Sequence, residues 1–197
     1  MTSLTPTPRS TACRRTQRAS HDVDAIAAVL DEALVAHVGF VQDGQPFVIP
    51  TNAWRVGEAL YFHCARNGRM AEVMGSGAPL CVTVTLMDGL VLARSLMHHS
   101  MNYRSVMLFG VAEEVVEAEE KLPLLTALVE HMHPGRAALV REPDDKELAV
   151  TAVFRLPITE GSAKARTGGP VDRPDDMSRD VPAGVVPLTV LRGDLVP

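Results

Sequence analysis

What the chain lacks narrows its function before any motif is read. No apolar run among the 197 residues approaches the ~20 that a membrane helix needs. Positive charge is not in excess. The formal net charge is -5, whereas a nucleic-acid binder normally shows a basic face. Neither nucleic acid nor membrane is therefore expected as a partner. Cysteine is scarce: Cys13, Cys64 and Cys81 are odd in number and widely spaced. That argues against a disulfide framework and a zinc site, and it predicts reduced thiols in a cytoplasmic protein. The first twenty residues, MTSLTPTPRSTACRRTQRAS, carry Arg14 and Arg15 with no apolar segment behind them, so they do not form a secretion signal. Residues 1–18 read as a solvated, flexible arm.

Familiar catalytic signatures are also missing. There is no GxGxxG and no GxxxxGK followed by Ser or Thr, hence neither a dinucleotide fingerprint nor a phosphate loop. No GxSxG exists, and Ser105 lies in a strand without the sharp turn that exposes a nucleophile. Seven histidines are present, but His98 and His99 are adjacent and point to opposite faces of a strand. His131 and His133 diverge on a helix. No metal site is expected.

What is present is a succession of short strands. SHDVDAIAAVLDEAL predicts a helix capped by Ser20 or Asp22. HVGFVQDGQPFVIPTNAW predicts a hairpin about Asp43–Gly44, and ALYFHCA a third strand. NGRMAEVMGSG predicts a short helix. APLCVTVTLMDGLVLARS predicts a second hairpin, about Asp88–Gly89. NYRSVMLFGVAEEVV predicts a long strand with a bulge or bend at Gly110. EAEEKLPLLTALVEHMHPG predicts a helix with Leu122, Leu125, Leu128, Val129 and Met132 on one stripe, Pro123 in its first turn and Pro134–Gly135 as its stop. KELAVTAVFRLPITEG ends in a further strand, residues 161–183 read as a long loop, and AGVVPLTV closes the ordered part. Without strand–helix–strand alternation, six or seven strands suggest an antiparallel barrel with helices outside.

Three stretches carry chemistry. In FHCARNGRM a strand ends at His63, and a glycine turn delivers Arg66 and Arg69 to a helix start. Backbone N–H groups and guanidinium groups together suit a phosphate. The plain alternative is a helix start with two solvated arginines. NYRSV adds Arg104 as a second cation, or else is a strand end with a surface Tyr and Arg. In PFVIPTNAW, Pro50 inside a strand implies an edge or a bulge, where backbone groups become free to meet a flat ring.

Together, GQPFVIPTNAW, LYFHCARNGRM, DGLVLARS, HHSMNYRSVMLFG, EEK, HPGR, KELAVTAV, SAKAR and AGVVPL occur in the order and spacing of flavin-binding proteins similar to pyridoxamine 5′-phosphate oxidase. The subgroup they resemble includes the nitroimidazole-resistance (Nim) flavoproteins. The resemblance runs over roughly residues 14–190. It implies a mainly β fold with peripheral helices, an antiparallel six- to seven-stranded split β-barrel. One such domain would occupy residues 19–190, with 161–183 as a loop within it and 191–197 as a tail. It also implies FMN, with FAD as the alternative, at the interface of a homodimer. Carried over residue by residue, the ring would lie against Val48, Ile49, Pro50, Thr51 and Asn52. The turn of His63, Cys64, Ala65, Gly68, Arg69 and Met70 would take the phosphate. Asn102, Tyr103, Arg104 and Ser105 would meet the ring or the ribityl chain. Two departures stand out. The family often has Lys where this chain has Met70, and Trp where it has Pro182.

The functional expectation is an FMN-dependent oxidoreductase acting on a small organic substrate, nitroaromatics included, with NAD(P)H as a candidate donor. No catalytic residue can be assigned, and a hydride or electron transfer needs no acid or base for its central step. Two alternatives stand beside it: a non-catalytic flavin- or haem-binding protein on the same barrel, and a dimeric interaction module without cofactor.

Overall fold

A computed structural model describes residues 2–196. The chain first forms a short strand, β1 (Ala19–Ser20), and a helix, α1 (Val23–Glu32). Strands β2 (Val35–Gln42), β3 (Gln45–Val56) and β4 (Ala59–Ala65) follow, then a helix, α2 (Arg69–Gly75). Next come β5 (Pro79–Leu92), β6 (Ser100–Val111) and β7 (Glu113–Val115). Helices α3 (Ala118–Met132) and α4 (Asp145–Val150) lead to β8 (Thr151–Pro157), β9 (Gly161–Arg166) and β10 (Gly184–Pro187). All strand pairs are antiparallel. They form one sheet in the order β1-β9-β6-β5-β2-β3-β4-β8-β7, with β10 added beside β5.

The sheet curls into a half-barrel, and its pleat sorts side chains into two layers. On the inner face Val38, Phe62, Val82, Leu108 and Phe154 meet Ile26 and Leu30 of α1 and Met70 and Met74 of α2. Each such side chain contributes roughly 1.5–3 kcal/mol by leaving water. Asp22 starts α1 by accepting the amide of Ala25 (3.0 Å). On the outer face of β3, β4, β7 and β8, the alternate residues Trp54, Val115 and Val153 pack under Leu128 of α3. This part of the sheet is therefore covered on both sides.

Several expectations change on the structure. Asp88–Gly89 is not a turn. Strand β5 runs through it, and a register shift between Met87 and Gly89 absorbs the extra residue as a bulge. A Cβ at Gly89 would lie 2.9 Å from Val185 and 3.1 Å from the Val186 carbonyl, so this position admits β10 alongside. Gly110 stays in regular register with Leu80; its Cβ would meet Leu156 at 2.8 Å, which makes the glycine a matter of close approach rather than bending. Pro123 lies in the second turn of α3, because the helix starts at Ala118. Met132 is 49% exposed, outside the buried stripe.

Residues 161–166 are strand β9, paired to both β6 and β1, and only 167–183 form the loop. The N-terminal arm is docked rather than free. The Leu4 amide donates to the His21 carbonyl (2.8 Å). Thr7 and Arg9 both donate to the Glu160 carboxylate, and residues 16–18 form a turn of 3-10 helix.

Candidate functional site

The sheet opens between β3 and β4. Strand β2 pairs with β3 along residues 45–52, but β4 pairs only with residues 53–56. The first two thirds of β3 is therefore a free edge, and so is the end of β4, where His63, Cys64 and Ala65 have β8 as their only neighbour. Pro46 and Pro50 sit on that edge, where a missing N–H interrupts nothing on the open side. Val48 and Pro50 are exposed there, Ile49 packs on the core, and Asn52 Nδ2 donates to the Leu34 carbonyl (3.4 Å). Thr51 is half-buried beside them.

The turn after β4 is tight. The Gly68 amide donates to the Ala65 carbonyl (2.9 Å), and a Cβ on Gly68 would stand 3.0 Å from that oxygen. Gly68 gives α2 no side-chain cap. The two arginines of the turn have different fates. Arg66 bonds the Ala149 carbonyl (2.9 Å) and pairs with Glu114 (2.9 Å). Arg69 has no carboxylate partner among the described residues; its guanidinium lies 4.0 Å above the ring of Phe47. Met70 points inward and is 6% exposed. Its side chain fills the core and does not stand in place of a surface cation.

The polar cluster at the start of β6 is largely consumed by the fold. Asn102 is buried and accepts from Arg166, which also donates to the carbonyls of Gly168 (3.0 Å) and Gly169 (2.9 Å). Arg104 is held by two acids at once, Glu32 and Asp88 (2.7 Å to Asp88). Those bonds push its pKa further up and pull that of Glu32 down. Ser105 Oγ donates to the Lys164 carbonyl (3.2 Å). Tyr103 is half-buried and its side chain makes no hydrogen bond among the described residues. Nearby, Asp172 is sealed in against Arg94 (2.9 Å), anchoring the 167–183 loop.

Arg166, Asp88, Glu32 and Asp172 did not emerge from the sequence, because their partners are distant in the chain. The three expected groups of residues sit at three places, the β3 edge, the β4–α2 turn and the β6 start. None of the five main cavities is lined by two of them.

His63 is directed elsewhere. Phe62 and Cys64 flank it toward the main core, while His63 faces the outer layer, its ring 6.1 Å from that of Trp54. It lines a cavity of about 840 Å3 between β4 and α3. Burial pushes its pKa down, and burial, with Glu114 nearby, pushes the Cys64 thiol up. Among the described residues no three metal-ligating side chains cluster, and no helix is long and apolar enough to cross a membrane.

An antiparallel half-barrel, open between two strands and flanked by helices, is a split barrel. The family profile of pyridoxamine 5′-phosphate oxidase matches residues 22–165, and the chain belongs to that family. Comparison with curated proteins finds no match. Among solved structures, the flavocytochrome Anf3 from Azotobacter vinelandii superposes with a TM-score of 0.91. It is 37% identical over 97% of this chain and 89% of its own. The FAD and haem binding protein from Mycobacterium smegmatis superposes at 0.87 and is 36% identical, over 91% of this chain and 88% of its own. A Bacteroides thetaiotaomicron protein assigned to 5-nitroimidazole antibiotic resistance, 24% identical over 74% of this chain and 85% of its own with a TM-score of 0.63, shares the fold.

Proposed function

We propose that the protein is a flavin-dependent oxidoreductase whose flavin lies at the β3 edge and the β4–α2 turn. The observation that carries this reading is Arg69, a cation without an acid partner beside two unpaired strand edges. A flavin presents a flat apolar ring, a hydrogen-bonding pyrimidine edge and an anionic phosphate. Residues 48–52 supply an exposed apolar edge with free backbone groups for the ring, and Arg69 with the uncapped first turn of α2 supplies cation and N–H donors for the phosphate. When bound, the flavin accepts a hydride or single electrons and passes them on.

A homodimer completes the site. Leu90, Leu92, Met101, Val185 and Val186 lie exposed on β5, β6 and β10, an apolar face of the kind a partner covers. A second chain would bring its β6 residues, Tyr103 foremost, toward the first chain's β3 edge. The compartment we assign is the cytoplasm, where the three free thiols stay reduced. NAD(P)H is the donor to test first, and small nitroaromatics the first acceptors.

FMN satisfies the phosphate site without further contacts. The similarity to a flavocytochrome and to an FAD and haem binding protein, over nearly the whole chain, supports a second reading in which the flavin is FAD and a haem accompanies it. Titration of apo-protein with FMN, FAD and riboflavin, followed by fluorescence quenching, tests the site. Saturation at about one flavin per chain is expected, with bleaching of the bound flavin by NAD(P)H. No saturable binding of any flavin at tens of micromolar would refute it.

A further inference from the structure

We infer that His63 is the axial ligand of a haem seated in the cavity between β4 and α3. The inference rests on the second reading above, in which haem accompanies the flavin, and it names where that haem is held.

Four observations support it. The cavity, at about 840 Å3, is in the ~300–1,000 Å3 range of cofactor sites. Its wall is mostly apolar, formed by Leu125, Leu128 and Val129 of α3 and by Val140 from the segment beyond. Such a wall suits the faces of a porphyrin. His63 is the one histidine on that wall, and no cysteine or methionine lines it. Its Nδ1 is buried with no hydrogen-bond partner, and the neighbouring Trp54 Nε1 is in the same condition. Buried polar atoms are nearly always satisfied, yet no hydrogen bond among the described residues holds the His63 ring, so nothing in the chain ties it away from a ligand in the cavity. A neutral imidazole nitrogen is a common ligand of haem iron.

Two of the three glutamates of the wall are already engaged. Glu130 accepts the amides of Gly135 (2.6 Å) and Ala137 (2.8 Å). Glu147 pairs with Arg141 (2.7 Å) and closes a capping box with Asp144. These bonds clamp residues 135–147 as the outer wall and leave Glu142 as the one lining carboxylate without a side-chain partner among the described residues. The arrangement also separates the two cofactors by function. Strand β4 presents His63 on its outer face and then runs directly into the turn of Gly68 and Arg69. One short stretch of backbone would thus connect a haem layer to a flavin edge.

The test is a hemin titration of the full-length protein followed by its Soret band, with flavin binding and far-UV circular dichroism as controls for the fold. The wild type is expected to bind one haem per chain with a histidine-ligated spectrum. His63→Ala should weaken binding by about a hundredfold or more and lose that spectrum, since even removing a partner of a metal ligand costs ~10–100-fold. Imidazole added to His63→Gly should restore it. Should His63→Ala not fold, His63→Met serves, because it keeps an unbranched apolar side chain in the layer and must alter the spectrum. If the wild type binds haem and His63→Ala or His63→Met leaves the spectrum unchanged, the ligand assignment is overturned while the haem reading survives. If the wild type binds no haem, both fall, and the flavin site stands on its own titration.

Discussion

Two arginine-bearing segments look alike in sequence and differ in the fold. At the start of β6, Arg104 sits between Glu32 and Asp88, and the Asn102 next to it is tied to Arg166. At the start of α2, Arg69 has only the face of Phe47. The first segment is a structural clasp joining α1, β5 and β6. The second keeps a charge unanswered where β3 and β4 part. An anion is attracted by net charge, and a guanidinium already surrounded by two carboxylates offers almost none. The number of cations in a motif is therefore a poor guide to phosphate binding, and their pairing is a good one.

The sharpest way to break this comparison is to add a cation next to Arg69. Met70→Lys looks from the sequence like the restoration of a phosphate ligand. The structure predicts the opposite, because residue 70 is in the core. Burying an ammonium there should lower stability by roughly 3 kcal/mol or more, through desolvation and the lost methionine packing. Urea denaturation checks it. Unchanged stability together with tighter FMN binding would mean that the side chain at 70 turns outward.

A smaller effect is expected on the other side of the comparison. Arg104→Ala removes the clasp and leaves Glu32 and Asp88 facing each other. Arg104 and its acids are about a third to a half exposed, so solvent screening limits the loss to about 1 kcal/mol. FMN and riboflavin affinities should then change together or not at all. A selective loss of FMN would move the phosphate to Arg104 and reverse the roles of the two segments.

Much of the fold was legible in the sequence. The helix at 23–32, strand β4 and the Asp43–Gly44 hairpin were anticipated, the last because both turn residues have positive φ, 51° and 75°, as an Asp-Gly turn of this kind requires. Asp88–Gly89 carries the same dipeptide and is no turn, because β10, almost a hundred residues on, lies beside it. A local signal cannot register a distant strand. The docking of the N-terminal arm is invisible to local signals for the same reason, since its anchor is Glu160.

For the site, the open edge at Pro50 and the glycine turn were legible from residue type. The inward direction of Met70, the capture of Arg104 and the cavity at His63 were not. Each depends on which face of an element meets a partner far along the chain. The one sequence signal for the cavity was the pleat itself: His63 alternates with Phe62 and Cys64 and so must face the other layer.

Whether Arg69 holds the flavin phosphate is read most directly from the affinity of Arg69→Ala for FMN and for riboflavin. A hydrogen bond to a charged group is worth ~1.5–3 kcal/mol, so FMN binding should weaken roughly tenfold to a hundredfold. Riboflavin, which has no phosphate, should bind as it does to the wild type. Equal losses for both ligands would contradict the claim and make Arg69 a support of the ring or of Phe47.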